Sequence, residues 1–242
     1  VSTGDFNGDG ILDLATADTS SSTTSIFIGL GKGTFAPRVS YSTGSSPWSV
    51  STGDFNGDGI LDLATADTSS STTSIFIGLG KGTFAPRVSY STGSSPWSVS
   101  TGDFNGDGIL DLATADASAA SASILIGLGN GTFAPRVSYS TGTTPYSVSS
   151  GDFNGDGILD LVTTDKDSSR ASVLIGLGNG TFAPRVAYLT GSSPSSVSVG
   201  DFNGDGVHDL VIANYSHSNG VDVLLGQSKD GVAPLLPFSL ET

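Results

Sequence analysis

The sequence lacks cysteine and methionine altogether, and it is poor in charge, above all in positive charge. Only 13% of its 242 residues are charged, and nine Lys and Arg stand against 23 Asp and Glu, which gives a formal net charge of −14. The absence of cysteine excludes disulfides, thiolate metal sites and cysteine nucleophiles. The scarcity of basic residues argues against nucleic-acid binding, which needs a basic surface. No apolar run approaches the roughly 20 residues that span a bilayer, so we expect no membrane insertion.

A repeat dominates the chain. The segment GDFNGDG recurs at a spacing of 49 residues, beginning at Gly4, Gly53, Gly102, Gly151 and Gly200. The repeats predict a single domain over residues 1–242, built from the units 1–49, 50–98, 99–147, 148–196 and 197–242. The first two units are identical at all 49 positions, which indicates recent duplication or deliberate construction.

Each repeat contains four short segments with strand character. In the first repeat they are Val1–Phe6, Ile11–Asp18, Ser25–Leu30 and Phe35–Thr43, and Gly44–Ser49 leads to the next unit. Four strands recurring every 40 to 50 residues are typical of a propeller blade. We therefore predict an all-β protein, a β-propeller of four-stranded blades. The sequence leaves open whether five blades close into a ring or belong to a longer array.

The turn after the first strand of each repeat is rich in oxygen-bearing side chains. It reads D-F-N-G-D-G-I-L-D in the first four repeats and D-F-N-G-D-G-V-H-D in the fifth, with Asp or Asn at positions 1, 3, 5 and 9 and a glycine at position 6 that permits a tight turn. The carbonyl at position 7 adds a further oxygen. Oxygen ligands of this kind are preferred by calcium, whereas magnesium holds its water more strongly. The sequence therefore predicts one structural Ca²⁺ per repeat, five in all.

The candidate metal ligands occupy the same five positions in every repeat. They are Asp5, Asn7, Asp9, Ile11, Asp13; Asp54, Asn56, Asp58, Ile60, Asp62; Asp103, Asn105, Asp107, Ile109, Asp111; Asp152, Asn154, Asp156, Ile158, Asp160; and Asp201, Asn203, Asp205, Val207, Asp209. Isoleucine and valine contribute through their carbonyls.

Two other interpretations compete for this loop. A plain Asx/Gly turn explains one copy, but it does not explain why all five copies keep every candidate ligand. An EF-hand needs an acid at position 12 and flanking helices, whereas position 12 here is Thr or Ile and the flanks have strand character. The five loops also hold 15 of the 23 acidic residues, so five Ca²⁺ would bring the net charge to about −4.

The motif GDFNGDGILDL, followed by a strand, GLGxGTF and APR, resembles the FG-GAP/VCBS repeat, the blade unit of integrin α-subunit propellers. The resemblance covers nearly the whole chain. It implies that calcium lies between the first two strands of a blade and that ligands bind the opposite face. There the polar loops and the GSSPWS connectors vary between repeats, and Trp48, Trp97 and Tyr146 are candidate ligand-binding residues. Packing between blade tops is the favoured interpretation of these three rings.

No catalytic constellation is visible in the sequence, so we do not expect an enzyme. The expected function is that of a secreted or cell-surface calcium-binding propeller serving adhesion or ligand binding, with a protein or glycan as partner. Two alternatives stay open: a lectin that uses the face opposite the calcium loops, and an accessory domain of a larger secreted enzyme or surface protein. The recurring Arg38, Arg87, Arg136 and Arg185 are expected to pair with Asp18, Asp67, Asp116 and Asp165.

Overall fold

The computed structural model describes residues 1–215 and 220–227. These residues form five antiparallel sheets, one for each repeat, and in each sheet the strands are hydrogen-bonded in chain order. Within this part of the chain, the helical segments are two short 3₁₀ turns, Ala117–Ala119 and Lys166–Ser168. No helix among the described residues is long and apolar enough to cross a membrane.

The 19 strands of the described residues follow one pattern from sheet to sheet. The first sheet contains β1 (Ser2–Gly4), β2 (Asp13–Asp18), β3 (Thr23–Phe27) and β4 (Val39–Ser42). The second contains β5 (Pro47–Gly53), β6 (Asp62–Asp67), β7 (Thr72–Phe76) and β8 (Val88–Ser91). The third contains β9 (Pro96–Gly102), β10 (Asp111–Asp116), β11 (Ser121–Leu125) and β12 (Val137–Ser140). The fourth contains β13 (Pro145–Gly151), β14 (Asp160–Asp165), β15 (Arg170–Leu174) and β16 (Val186–Leu189). The fifth contains β17 (Pro194–Gly200), β18 (Asp209–Asn214) and β19 (Val221–Leu224).

The predicted four-stranded unit is confirmed in the first four repeats. The expected fourth strand of the last repeat falls on residues 228–242, outside the described residues. The strand bounds differ from the predicted ones: β2 begins at Asp13 rather than Ile11, β3 covers Thr23–Phe27 rather than Ser25–Leu30, and β4 covers Val39–Ser42 rather than Phe35–Thr43. The connector is also shorter, because Pro47, Trp48 and Ser49 belong to strand β5. Ser46 ends the connector with a positive φ of 56°. Pro47 then suits the first position of a strand, because its fixed φ is tolerated there and it needs no ladder hydrogen bond.

The hydrophobic core lies between successive sheets, which we call blades. Four clusters of buried side chains each draw on two consecutive blades. In the first cluster, Phe6 and Ile26 of blade 1 pack with Leu63, Phe76 and Phe84 of blade 2. Phe84 makes edge-to-face contacts with Phe6 and Tyr41, at centroid distances of 5.7 and 5.6 Å. Such contacts add to the free energy of burying the rings.

The loops divide between two ends of the blades, as strand alternation requires. At one end, which we call the Asp-loop face, the N–H of Gly82 donates to the Asp-loop carbonyl of Phe6 at 2.9 Å. At the other end, the connector face, Thr19 Oγ1 donates to the carbonyl of Pro47 at 2.8 Å. The Asp loops and the connectors are therefore on opposite ends of the same blades.

Candidate metal centre and connector face

Each Asp loop is held together by its first aspartate. The carboxylate of Asp5 accepts hydrogen bonds from the N–H groups of Gly8 at 2.7 Å, Asp9 at 3.1 Å and Gly10 at 2.8 Å. Gly8 and Gly10 have φ values of 78° and 81°, a left-handed conformation that glycine adopts at low cost. The alternation of glycines in the sequence thus lets three backbone donors face one carboxylate.

The next two polar side chains complete the surface of the loop. Asn7 Oδ1 accepts from the N–H of Asp9 at 2.9 Å, and Asn7 Nδ2 donates to Asp9 Oδ2 at 2.9 Å. Asp9 Oδ1 accepts from the N–H of Ile11 at 2.8 Å. The structure therefore brings together the side chains at positions 1, 3 and 5, with the N–H of position 7 bonded to them, and the same bonds recur in the other four loops.

The aspartate at position 9 has a structural role that the sequence did not reveal. Asp13 is fully buried, and its two carboxylate oxygens accept from the N–H groups of Phe6 at 2.8 Å and Gly29 at 2.7 Å. It thus ties the Asp loop to the turn that follows β3. Its equivalents make the same pair of bonds, which we call the Asp clasp: they are Asp62, Asp111, Asp160 and Asp209.

Electrostatics distinguish the exposed from the buried acids of a loop. Backbone hydrogen bonds, the largest from Gly10, lower the pKa of Asp5. Burial, with a smaller contribution from the charges of Asp54 and Asp58, raises the pKa of Asp62 to about 6 against the lowering effect of its backbone hydrogen bonds. The pKa values of Asp111 and Asp160 are likewise raised to about 6, chiefly by burial. Three acidic side chains of one loop are therefore close enough to repel one another.

The oxygen atoms of the Asp loop fit a hard cation, although the carboxylate at position 9 already accepts two backbone hydrogen bonds. In the described part of the chain, no group of three or more His, Asp or Glu side chains is arranged as a metal site. Each loop instead presents two carboxylates and one amide at the surface, with the clasp carboxylate below. A carboxylate oxygen accepts more than one bond, so the clasp oxygens keep acceptor capacity. An all-oxygen set of this kind matches the preference of calcium.

The three candidate ligand-binding rings form a ladder on the connector face. The ring centroids of Trp48 and Trp97 are 4.6 Å apart, and those of Trp97 and Tyr146 are 4.7 Å apart. The ammonium group of Lys166 lies 5.0 Å from the centroid of Tyr146, within cation–π range. Trp48, at the free end of the ladder, is 45% exposed. The rings thus pack on one another from blade to blade, and one aromatic surface faces solvent.

A second set of buried carboxylates joins neighbouring blades near this face. Asp67 Oδ2 accepts from the N–H of Gly44 in the preceding blade at 3.1 Å and from Ser74 Oγ at 2.5 Å. Thr65 Oγ1 donates to its other oxygen at 2.8 Å. We call this arrangement the blade latch. It recurs at Asp116 and Asp165, which accept from serine and threonine hydroxyls in the same way.

The predicted arginine partners of these aspartates bond elsewhere. The guanidinium of Arg87 donates to Ser74 Oγ at 3.2 Å and that of Arg185 to Ser172 Oγ at 3.0 Å. Each of these serines donates in turn to the latch carboxylate. The hydroxyl and N–H donors already surround the carboxylate, so the arginine reaches it through a serine. The blade latch joins residues of two blades. The sequence of a single repeat does not show which residues of the next repeat lie beside it, so the latch could not be predicted from that sequence.

Comparisons with known proteins agree with this architecture. Solved structures similar to the chain include a lectin from Agrocybe aegerita that recognises non-reducing terminal N-acetylglucosamine, at 18% identity and a TM-score of 0.64, covering 96% of this chain and 64% of that one. A putative 6-phosphogluconolactonase from Bacteroides uniformis matches at 16% identity and a TM-score of 0.66, covering 92% and 66%. The V. cholerae biofilm matrix protein Bap1 matches at 18% identity and a TM-score of 0.50, covering 93% and 37%.

At these identities the likeness shows the fold, which is that of a β-propeller, and the chain spans at most about two-thirds of each of these three structures. Among curated proteins, none matches the sequence. The model of the FG-GAP-like repeat matches four overlapping stretches, residues 5–65, 54–114, 103–163 and 152–212, each running from one Asp loop into the next blade. Since these stretches cover most of the sequence, the chain belongs to the family of FG-GAP-like repeat proteins.

Proposed function

We propose that the chain is a non-catalytic, calcium-binding propeller that acts outside the cell in adhesion or ligand binding. The observation that carries the proposal is the fivefold Asp loop. The side chains of the loop can ligate a metal ion through oxygen atoms, and hydrogen bonds already hold its backbone in a coiled shape. The three acidic side chains of the loop also repel one another. A divalent cation bound there neutralises this repulsion and links the two strands that the loop connects.

The residues that would hold the ion are the same in every blade. In the first they are the side chains of Asp5, Asn7, Asp9 and Asp13 and the carbonyl of Ile11, with the corresponding residues in the other four. The clasp bonds of Asp13 hold the loop against the blade, so the ion adds to a loop whose course is fixed. The pre-formed backbone lowers the conformational entropy lost on binding.

Calcium concentration is the reason for placing the protein outside the cell. With ~1 mM extracellular calcium and a Kd of ~10 μM, each site would stabilise the fold by roughly 2.7 kcal/mol. In cytosol, at about 0.1 μM calcium, the same sites would be almost empty and would contribute close to zero.

Thermal unfolding in calcium and in EGTA tests the calcium proposal. We expect the Tm to rise by at least about 5 °C in 1 mM calcium, because several sites each add to the free energy of unfolding. Magnesium at the same concentration serves as the control and is expected to give a smaller shift. Equal Tm values in calcium and EGTA would contradict the proposal.

We place the ligand, a protein or a glycan, on the connector face, opposite the Asp loops. A lectin is the second candidate, supported by the ladder of Trp48, Trp97 and Tyr146. Aromatic rings offer flat apolar surface with a polar edge, which suits contact with a sugar face. The similar Agrocybe aegerita lectin is itself a glycan-binding protein, and its fold alone is shared here.

A glycan array with the wild-type protein and the Trp48→Ala variant tests the lectin candidate. We expect glycan binding by the wild type and its loss in the variant, while Val88→Ala, an exposed position on the outer strand β8, leaves binding unchanged. No binding by the wild type, or equal binding by both Ala variants and the wild type, would reject the lectin candidate.

A further inference from the structure

The first blade exposes a sheet face that every later blade buries. Phe35 is 40% exposed, whereas its equivalents Phe84, Phe133 and Phe182 are each 6% exposed. Leu12 is 64% exposed, whereas the equivalent Leu61 packs against the cluster between blades 1 and 2. We call this surface, formed by Leu12, Leu14, Phe27 and Phe35, the leading face. In blades 2 to 4 the corresponding residues pack on the blade before.

The fifth blade exposes the opposite sheet face. Phe202 is 53% exposed, whereas Phe6, Phe55, Phe104 and Phe153 are at most 2% exposed. Val211 and Val223 are half-buried, although their equivalents Val162 and Val173 are buried against blade 5. We call the surface of Phe202, Val211 and Val223 the trailing face. In blades 1 to 4 this face packs on the blade that follows.

These two faces are the separate halves of an interface that the chain forms repeatedly within itself. In the first three junctions, a phenylalanine of the leading face lies between a phenylalanine and a tyrosine of the trailing face: Phe84 with Phe6 and Tyr41, Phe133 with Phe55 and Tyr90, Phe182 with Phe104 and Tyr139. A backbone bond from the glycine turn to the Asp loop accompanies it, as from Gly131 N to Phe55 O at 3.0 Å.

The two halves do not meet each other within one molecule. Among residues 1–215 and 220–227, no strand pairing and no hydrogen bond joins the first sheet to the fifth. The carbonyl of Phe202 corresponds to the acceptors of Phe6, Phe55, Phe104 and Phe153, each of which takes an N–H from the following blade. In the described residues, Phe202 has no such donor.

We propose that, for a chain of these 242 residues, the trailing face of one molecule docks on the leading face of a second copy, head to tail, in the geometry of the internal junctions. The occupant follows from continuity: the trailing face of a second copy presents Phe202, Val211 and Val223 where the internal junction of blades 4 and 5 uses Phe153, Val162 and Val173. The contact is heterologous, because two different faces meet, so it produces closed rings where the rotation closes and open chains where it does not. Association also removes the apolar surface of Leu12, Phe35 and Phe202 from water.

Two substitutions, one on each face, test the proposal. Phe35→Asp disables the leading face and Val211→Asp the trailing face, and neither alters a candidate metal ligand. By sedimentation velocity over about 1 to 200 μM, we expect the average mass of the wild type to rise with concentration and to include species above the dimer. Each variant alone is expected to remain a monomer, while an equimolar mixture of the two forms dimers and nothing larger, since only one pair of intact faces remains.

The mixture separates head-to-tail docking from symmetric pairing. If two trailing faces paired with each other, Phe35→Asp alone would still dimerise, and that result would overturn the proposal. A wild type that is monomeric over the whole concentration range would overturn it as well. Leu79→Asp, at an exposed leucine of a blade-2 turn, is the matched control and should associate like the wild type. Circular dichroism of each variant confirms that loss of association is not loss of the fold.

Discussion

The side-chain amide of Asn214 donates to the carboxylate of Asp222 at 3.0 Å, which inverts the blade latch. In blade 4 the carboxylate is on the second strand, at Asp165, and Ser172 on the third strand donates to it. In blade 5 the carboxylate is on the third strand, at Asp222. Asp222 pairs with Ile212 on the second strand, as Ser172 pairs with Thr163 in blade 4, so Asp222 occupies the position of the latch serine. Asp222 Oδ2 accepts from the N–H of Gly191 at 2.6 Å, so the link to the preceding blade is kept.

The inverted latch predicts that two substitutions compensate each other. Asn214→Asp alone places two carboxylates together in a buried site, and we expect it to lower the free energy of unfolding by about 2–3 kcal/mol. Adding Asp222→Ser recreates the Asp165–Ser172 arrangement and should recover most of that loss. Urea unfolding of the two single variants and the double variant gives the coupling. If the two effects simply add, the two side chains do not act as a latch.

The latch also predicts how stability depends on pH. Burial raises the pKa of Asp116 from 3.8 to about 6, with hydroxyl donors and Arg136 opposing the shift. The folded state therefore binds this proton more tightly than the unfolded state, and the contribution is largest below pH 3.8 and is lost as pH rises to about 6. The expected loss is about 1–3 kcal/mol.

Urea unfolding in EGTA at pH 4 and pH 6.5, with the wild type and Asp116→Asn, measures this contribution. The variant lacks the titrating group, so its stability should fall less over this interval than that of the wild type. An identical decrease in the two proteins would show that Asp116 does not contribute to the pH dependence.

The Asp clasp and the surface of the Asp loop predict different effects in the absence of metal. Asp62→Asn leaves one of two buried N–H groups, of Phe55 or Gly78, without a carboxylate partner. We expect it to cost about 1–3 kcal/mol even in EGTA. Asp58→Asn changes an exposed acid and keeps the side-chain oxygen that accepts from the N–H of Ile60, so in EGTA it should alter stability by less than about 0.5 kcal/mol.

In calcium, Asp58→Asn should have a larger effect on stability than in EGTA. The variant is expected to gain less stability on calcium addition than the wild type, because it lacks one of the proposed charged ligands. Thermal melts with and without calcium provide the comparison. A variant that responds to calcium as strongly as the wild type would show that Asp58 is not a ligand.

Phe35 and Phe84 occupy the same position in two repeats of identical sequence, but their surroundings in the structure differ. Phe84 is enclosed by Phe6 and Tyr41 of the preceding blade, whereas Phe35 has no ring partner among the described residues. Phe84→Ala is expected to cost about 3–5 kcal/mol and Phe35→Ala less than about 1 kcal/mol. Urea unfolding at low protein concentration tests the difference. Equal costs would show that the first blade's phenylalanine is also packed.

The sequence was sufficient to predict the blade but not the contacts between blades. The 49-residue period and the strand segments led to the four-stranded unit, and the glycine at position 6, Gly10 in the first repeat, led to the tight turn of the loop. The clasp role of Asp13 was missed, because its partner Gly29 is brought near only when β3 pairs with β2. The latch was misassigned to arginines for a similar reason: Gly44, which bonds to Asp67, belongs to another repeat.

Because each core cluster involves only two consecutive blades, the packing of residues 1–215 and 220–227 depends little on the total number of repeats. Blades 1 and 2 are identical in sequence, so deleting or copying a whole unit by unequal recombination creates no junction that the chain does not already contain. Shortening or lengthening of such a gene would thus change the area of the connector face and leave the contacts between the remaining blades unchanged.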